Sequence, residues 1–164
     1  IEPEILLHLA KAPRFDMDEA ALLDCVDWIG TGFEIVASPY PGWSFTLADA
    51  VAAGALHGGF VLGDLVATAA SDGWIGDLKS ATLTLSCDGK EKATGRMNIV
   101  LGSPLLALKE ILAVIEADPE APPVEAGEVI ATGTVTDAFP IAAGQHWASR
   151  IEGLPLKGAD VSVK

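Results

Sequence analysis

The sequence is short of positive charge. Ten Lys and Arg stand against 23 Asp and Glu, a formal net charge of −13. Nucleic acid and anionic membranes both need a basic patch, and here the basic residues are scattered, so neither is an expected partner. Cysteine is scarce too: Cys25 and Cys87 are the only two and have no CxxC spacing. That excludes a disulfide framework and predicts two free thiols in a reducing cytoplasm. No run of 18 uncharged apolar residues occurs, so no membrane-spanning helix is expected. A secretory signal is missing as well, because glutamates occupy the opening where a basic region and an apolar core would be needed. The 164 residues suffice for one domain that buries about 70% of its unfolded surface. The chain opens on Ile rather than Met, with a candidate site strand at residue 1, and is therefore expected to lack an upstream segment.

What the sequence does contain is a set of carboxylates placed among apolar residues. Glu2 and Glu4 lie in Ile1-Glu2-Pro3-Glu4-Ile5-Leu6-Leu7, and Glu34 lies in Phe33-Glu34-Ile35-Val36. Both stretches read as strands, and residues two apart in a strand share a face at about 6.6 Å. If the strands are neighbours, three carboxylates converge and require a cation. An all-oxygen site of this kind suits Mg²⁺ or Mn²⁺ rather than zinc, and would leave about three positions on an octahedral ion for water and substrate. The residues alone leave a second reading open, in which Glu2 and Glu4 form a solvated edge strand and Glu34 pairs with a Lys or Arg.

Along the chain, Lys11 to Phe15 reads as a loop. Asp16, with Glu19 three residues on, predicts the cap of a helix to about Ile29, its stripe being Ala21, Leu22, Cys25, Val26 and Ile29. Gly30 and Gly32 would end it. The loop from Ser38 to Trp43 carries aromatic rings that can wall a pocket or cover the core. Thr46 and Asp49 form a capping box for a helix from Leu47 to about Leu56. His57 follows beside two glycines, either as a charge partner for the helix dipole or as an acid or base. A strand is expected at Phe60 to Leu62. Thr82 to Ser86, an Asp88-Gly89 turn and Glu91 to Met97 predict a hairpin. Ser103 and Pro104 open a helix to about Ala117, with Leu105, Leu108, Ile111, Leu112 and Ile115 inward. Pro119 to Gly127 is a surface loop. Val129 to Thr132 is a strand running into Gly133 and Thr134, a turn able to offer N–H and hydroxyl groups to an anion. Strands around Trp147 to Ile151 and near the C-terminus complete an α+β chain, a strand-rich mixed β-roll with about three flanking helices. His8 and His146 read as packing or surface residues.

Four stretches, in this order, resemble the fumarylacetoacetate hydrolase superfamily in its 2-keto-4-pentenoate hydratase and 4-oxalocrotonate decarboxylase branch. They are Ile1-Glu2-Pro3-Glu4-Ile5, then Phe33-Glu34-Ile35-Val36, then Gly95-Arg96 with Leu101-Gly102-Ser103-Pro104-Leu105, and finally Ala131-Thr132-Gly133-Thr134 with Pro140-Ile141-Ala142-Ala143-Gly144. The resemblance spans essentially the whole chain. It implies a β-roll with flanking helices, assembled as a homodimer or larger oligomer, with Glu2, Glu4 and Glu34 holding Mg²⁺ or Mn²⁺. Thr134, with Gly133, would meet the substrate carboxylate. The implied activity is hydration of 2-keto-4-pentenoate (2-hydroxypenta-2,4-dienoate)-type acids in the breakdown of aromatic compounds. Decarboxylation of 4-oxalocrotonate-type acids and C–C hydrolysis of acylpyruvates are the alternatives, and a non-catalytic structural subunit is the competing class. The chain departs from the branch where an Asp-Asn pair and a serine are common: Ala53-Gly54 replaces the pair and His57 falls near the serine. Ser103 stands where the branch often has His. His57 and Asp49 are the candidates for proton transfer, with a residue of the expected upstream segment as an equal alternative.

Overall fold

The computed structural model describes residues 1–164, the side chain of Ala70 excepted. Eight strands form two four-stranded sheets. The first has the order β3-β2-β1-β6, with β1 at Glu2–Leu9, β2 at Val26–Val36, β3 at His57–Ala67 and β6 at Val129–Thr134. The second has the order β5-β4-β7-β8, with β4 at Thr82–Cys87, β5 at Lys90–Arg96, β7 at His146–Glu152 and β8 at Asp160–Ser162. All these pairings are antiparallel. The strand-rich roll with flanking helices is thus the fold, and the helices are α1 (Glu19–Leu23), α2 (Leu47–Ala52), α3 (Trp74–Ser80) and α4 (Pro104–Ala117).

Strand alternation divides the first sheet into two faces. Ile5, Leu7 and Leu9 of β1, with Ile29 and Phe33 of β2, enter the core. There they join Leu83 and Leu85 of β4, Trp147 and Ile151 of β7, and Leu105, Leu108 and Leu112 of α4. Glu2, Glu4, Leu6 and His8 point the other way, opposite Glu34, Gly32, Gly30 and Trp28. One strand therefore supplies core with its odd positions and the candidate site with its even ones.

The long helix expected from Asp16 is not formed. Asp18 is the cap, accepting from the Ala21 N–H at 2.9 Å, and the helix ends at Leu23. Val26 and Ile29 lie in β2, whose β-branched and aromatic residues fit a pleated surface better than a helix. The residues that mimic a helical stripe belong to two elements, and Gly30 and Gly32 are strand residues. A Cβ at Gly30 would collide with Leu65, so the glycine admits the β3 side chain. β3 is also far longer than the three residues expected, and α3 was not foreseen, although Trp74 and Leu78 are both buried at helical spacing.

The helix expected from Leu47 to about Leu56 stops at Ala52, because Gly54, Ala55 and Leu56 take positive φ, and His57 opens β3; the other elements follow their local signals. The hairpin turns on Asp88 and Gly89, both at positive φ (49° and 73°). Ser103 caps α4 through the Leu106 N–H and donates to Glu19, whose other oxygen pairs with Lys79, so one partly buried network ties α1, α3 and α4 together. By length and composition alone the stretch Met97–Ala117 would be able to cross a membrane, although Lys109, Glu110 and Glu116 interrupt its apolar residues. In the fold, Leu105, Leu108 and Leu112 of that run are core. Ile111 is exposed and Ile115 only half-buried, so the buried stripe is narrower than expected. Cys25 and Cys87 are free and buried.

Candidate metal centre

The pairing of β1 with β2 sets Glu2 directly opposite Glu34 and Glu4 opposite Gly32, which presents no side chain to it. Ligand oxygens of Glu2, Glu4 and Glu34 all lie within 4.8 Å of one another. Among the described residues no Lys or Arg forms an ion pair with any of the three. The alternative of a Lys or Arg partner for Glu34 is therefore not what the fold contains.

Two β-bulges aim groups at this cluster. Between Glu4 and Leu6 of β1, β6 carries one extra residue. Gly133, at φ +113°, turns its N–H onto Glu4 Oε2 at 2.9 Å, and Thr132 Oγ1 donates to Ile5 O at 3.0 Å. Between Ile35 and Val36 of β2, β3 likewise carries one extra residue, Gly58. Its lack of a side chain allows the close approach, since a Cβ there would lie 2.7 Å from Ile35 O. The bulge brings His57 Nδ1 to 2.7 Å from Glu34 Oε1. Bulges of this kind re-aim side chains beside functional sites.

The electrostatics fit a cation. Glu4 is 3% exposed, and its carboxyl is pushed up to about 7, first by burial and then by the charges of Glu34 and Glu2, against the opposing Gly133 N–H. Glu2 is also raised, by burial first and then by Glu34. Like charges crowded into a poorly solvated place, with oxygen donors only, are what a hard divalent ion relieves. Glu2, Glu4 and Glu34 have the chemistry to hold one.

The other candidates fall in different places. Thr134 is the β6 neighbour of Glu4, but its hydroxyl donates to Thr136 O at 2.9 Å, and the Gly133 N–H is engaged by Glu4. Asp49 lies outside the cluster, with its carboxylate accepting from the Thr46 N–H and hydroxyl at 2.8 Å each in the cap of α2. His8 bonds Asp27 and stacks on Trp28 with ring centroids 4.9 Å apart, and His146 lies 3.6 Å from Asp160 on the surface, in keeping with packing and surface roles.

A cleft of about 520 Å³ opens beside Glu2. Val36 and Trp43 line one part of it and Phe139, Pro140 and Ile141 another. Of the two roles open to the loop of residues 38–43, walling a pocket is the one its Trp43 takes, and the Tyr40 hydroxyl holds the loop to α2 by donating to Asp49 O at 2.9 Å. The contribution of Val36 and Phe139 was not read from the sequence. Val36 was legible in principle, since it shares a strand face with Glu34. A second depression, of about 430 Å³, lies between residues 12–16 and the end of α4. It contains none of the three glutamates, and its Arg14 and Asp16 pair with each other at 2.6 Å.

No family model matches the chain. It is 32% identical over 133 residues to a 2-hydroxyhexa-2,4-dienoate hydratase of Comamonas testosteroni, covering 81% of this chain and 48% of that one. To a 4-oxalocrotonate decarboxylase of a Pseudomonas species it is 29% identical over 154 residues, 94% of this chain and 57% of that one. The chain thus spans about half the length of these curated relatives. In three dimensions it is similar to the 4-oxalocrotonate decarboxylase of Pseudomonas putida G7 complexed with magnesium and adipate, with a TM-score of 0.84 at 22% identity over 99% of this chain and 59% of that one.

Proposed function

This chain belongs to the hydratase and decarboxylase branch of the fumarylacetoacetate hydrolase superfamily, and on that premise we propose that it is a divalent-metal-dependent hydratase of 2-keto-4-pentenoate-type acids. The observation that carries the reading is the convergence of Glu2, Glu4 and Glu34 without a basic partner from Lys or Arg. A bound Mg²⁺ or Mn²⁺ supplies Lewis-acid polarisation of a chelating 2-keto or 2-hydroxy-dienoic acid. The chain's own groups do the rest. Gly133 fixes the orientation of Glu4, and His57 fixes that of Glu34. The walls of the cleft hold the carbon chain and restrict water. His57 is the proposed proton carrier, because Asp49 is occupied by the α2 cap. Decarboxylation is the second reading, supported by the decarboxylase relative at 29% identity.

Calorimetric titration of the metal-stripped protein with Mg²⁺ and Mn²⁺, with and without oxalate as an enolate mimic, tests the site. Metal should bind, and oxalate should bind only in its presence. Glu34→Gln should weaken metal binding at least tenfold while the protein stays folded. His57→Asn should retain metal binding, because its amide nitrogen stands near the position from which Nδ1 meets Glu34, and should lose turnover of 2-hydroxydienoic acids. If the protein shows no metal binding, the catalytic reading fails for this chain. If Glu34→Gln instead loses assembly, a structural subunit takes its place.

A further inference from the structure

We infer that Thr132 is a positioning residue for the carboxylate cluster: its hydroxyl pins the β6 bulge to β1 and so holds the Gly133 N–H on Glu4. The inference rests on the metal site proposed above and concerns the group that stands behind one of its ligands. Leu6 pairs with Ala131 and Glu4 with Thr134, so the single residue Ile5 faces two residues of β6, Thr132 and Gly133. A bulge disrupts the ladder locally, and the backbone groups it displaces need other partners. Here a side chain steps in. Thr132 Oγ1 donates to Ile5 O at 3.0 Å, and Gly133, at φ +113°, gives its N–H to Glu4 Oε2 at 2.9 Å.

The two bonds run from consecutive residues of β6 to consecutive residues of β1. The peptide that joins Thr132 to Gly133 is planar, so a Thr132 that slips along Ile5 swings the Gly133 N–H away from Glu4. Both acceptor sites are shielded from water, with Thr132 8% and Glu4 3% exposed, so water does not readily replace either bond. Groups that orient a metal ligand from behind affect metal affinity by roughly 10–100-fold when removed. The other flank of Ile5 shows that a hydroxyl in this core is not bonded by default. Thr31 of β2 pairs with Ile5 there, is fully buried, and its hydroxyl has no partner among the described residues.

Three variants test this. Thr132→Val removes the hydroxyl at nearly constant volume, Thr132→Ser keeps the hydroxyl and drops the methyl, and Thr31→Val removes a hydroxyl that bonds nothing. Each would be titrated with Mg²⁺ and Mn²⁺ by calorimetry, and hydrogen exchange of the Gly133 amide would be followed by NMR in the metal-free protein. Thr132→Val should weaken metal binding about tenfold and speed Gly133 exchange about tenfold. Thr132→Ser should restore both, and Thr31→Val should leave both as in the wild type. Should Thr132→Val fail to fold, the wild type still decides, because a Gly133 amide that exchanges as freely as an exposed one overturns the proposal. Unchanged metal affinity in Thr132→Val, or equal losses in Thr132→Val and Thr132→Ser, overturns the role of the hydroxyl and leaves the metal site standing. A wild type that binds no metal overturns the site and this role together.

Discussion

At the scale of the residue, Glu4 carries the sharpest consequence. Its carboxyl titrates near 7 in the metal-free fold instead of the ordinary 4.5, because burial and two neighbouring carboxylates disfavour its charge. A carboxyl raised on folding stabilises the fold only while protonated. Below about pH 4.5 both folded and unfolded chains hold the proton. Between there and about 7 the unfolded chain has released it and the fold has not, so stability of the metal-free protein falls as pH rises through that window. The loss is on the order of 3 kcal/mol at most for a shift of this size. Thermal melts between pH 5 and 7.5 should show the decline, and added Mn²⁺ should reverse it. At pH 6, metal binding should displace close to one proton, read from calorimetry in buffers of different ionisation heat. Metal uptake with no proton released would contradict this account of Glu4.

At the scale of the element, the segment following β6 links the two sheets to the site. Val135 N–H donates to Pro3 O at 3.0 Å, and Val135 itself lies so close to β5 that a Cβ at Gly95 would collide with its carbonyl. Gly133, two residues earlier, is the donor to Glu4. Gly95→Ala should therefore push this segment away from β5, cost about 1–3 kcal/mol of stability, and weaken metal binding by loosening the Gly133 contact. Chemical denaturation and metal titration of the same variant check both effects, and a stable variant with unchanged metal affinity would show the segment to be dispensable. Elements with strong local signals were legible in the sequence: the capping box of Thr46 and Asp49, the Asp88-Gly89 hairpin, and the Ser103-Pro104 helix start all stand where they were expected. The helix from Asp16 was not, because Leu22, Cys25, Val26 and Ile29 satisfy a helical period by coincidence: Leu22 belongs to α1, Cys25 to the turn after it, and strand pairing decides the conformation of Val26 and Ile29.

At the scale of the whole molecule, the outer side of the first sheet is unusually apolar for a surface. Phe60, Leu62 and Leu65 of β3 are exposed, as are Leu47 and Val51 of α2, the latter two at 83% and 70%. Exposed apolar side chains favour association, and a homodimer or larger assembly remains the expectation. Sedimentation velocity should find an oligomer, and Leu62→Asp should shift it toward monomer without unfolding it. A wild-type monomer at tens of micromolar would remove that expectation.

The sequence by itself determined the ingredients of the site: two glutamates two apart in one strand, a third among apolar residues in another, and an excess of acid with little base to neutralise it. Local chemistry suffices for that much, since strand alternation and the cost of burying charge are properties of short stretches. Only the tertiary structure decided that Glu2 faces Glu34, that two bulges aim Gly133 and His57 at the carboxylates, and that Val36, Trp43 and Phe139 share a cleft. Each of these depends on strand register or on loops distant in sequence meeting in space, and no periodicity within one segment encodes them.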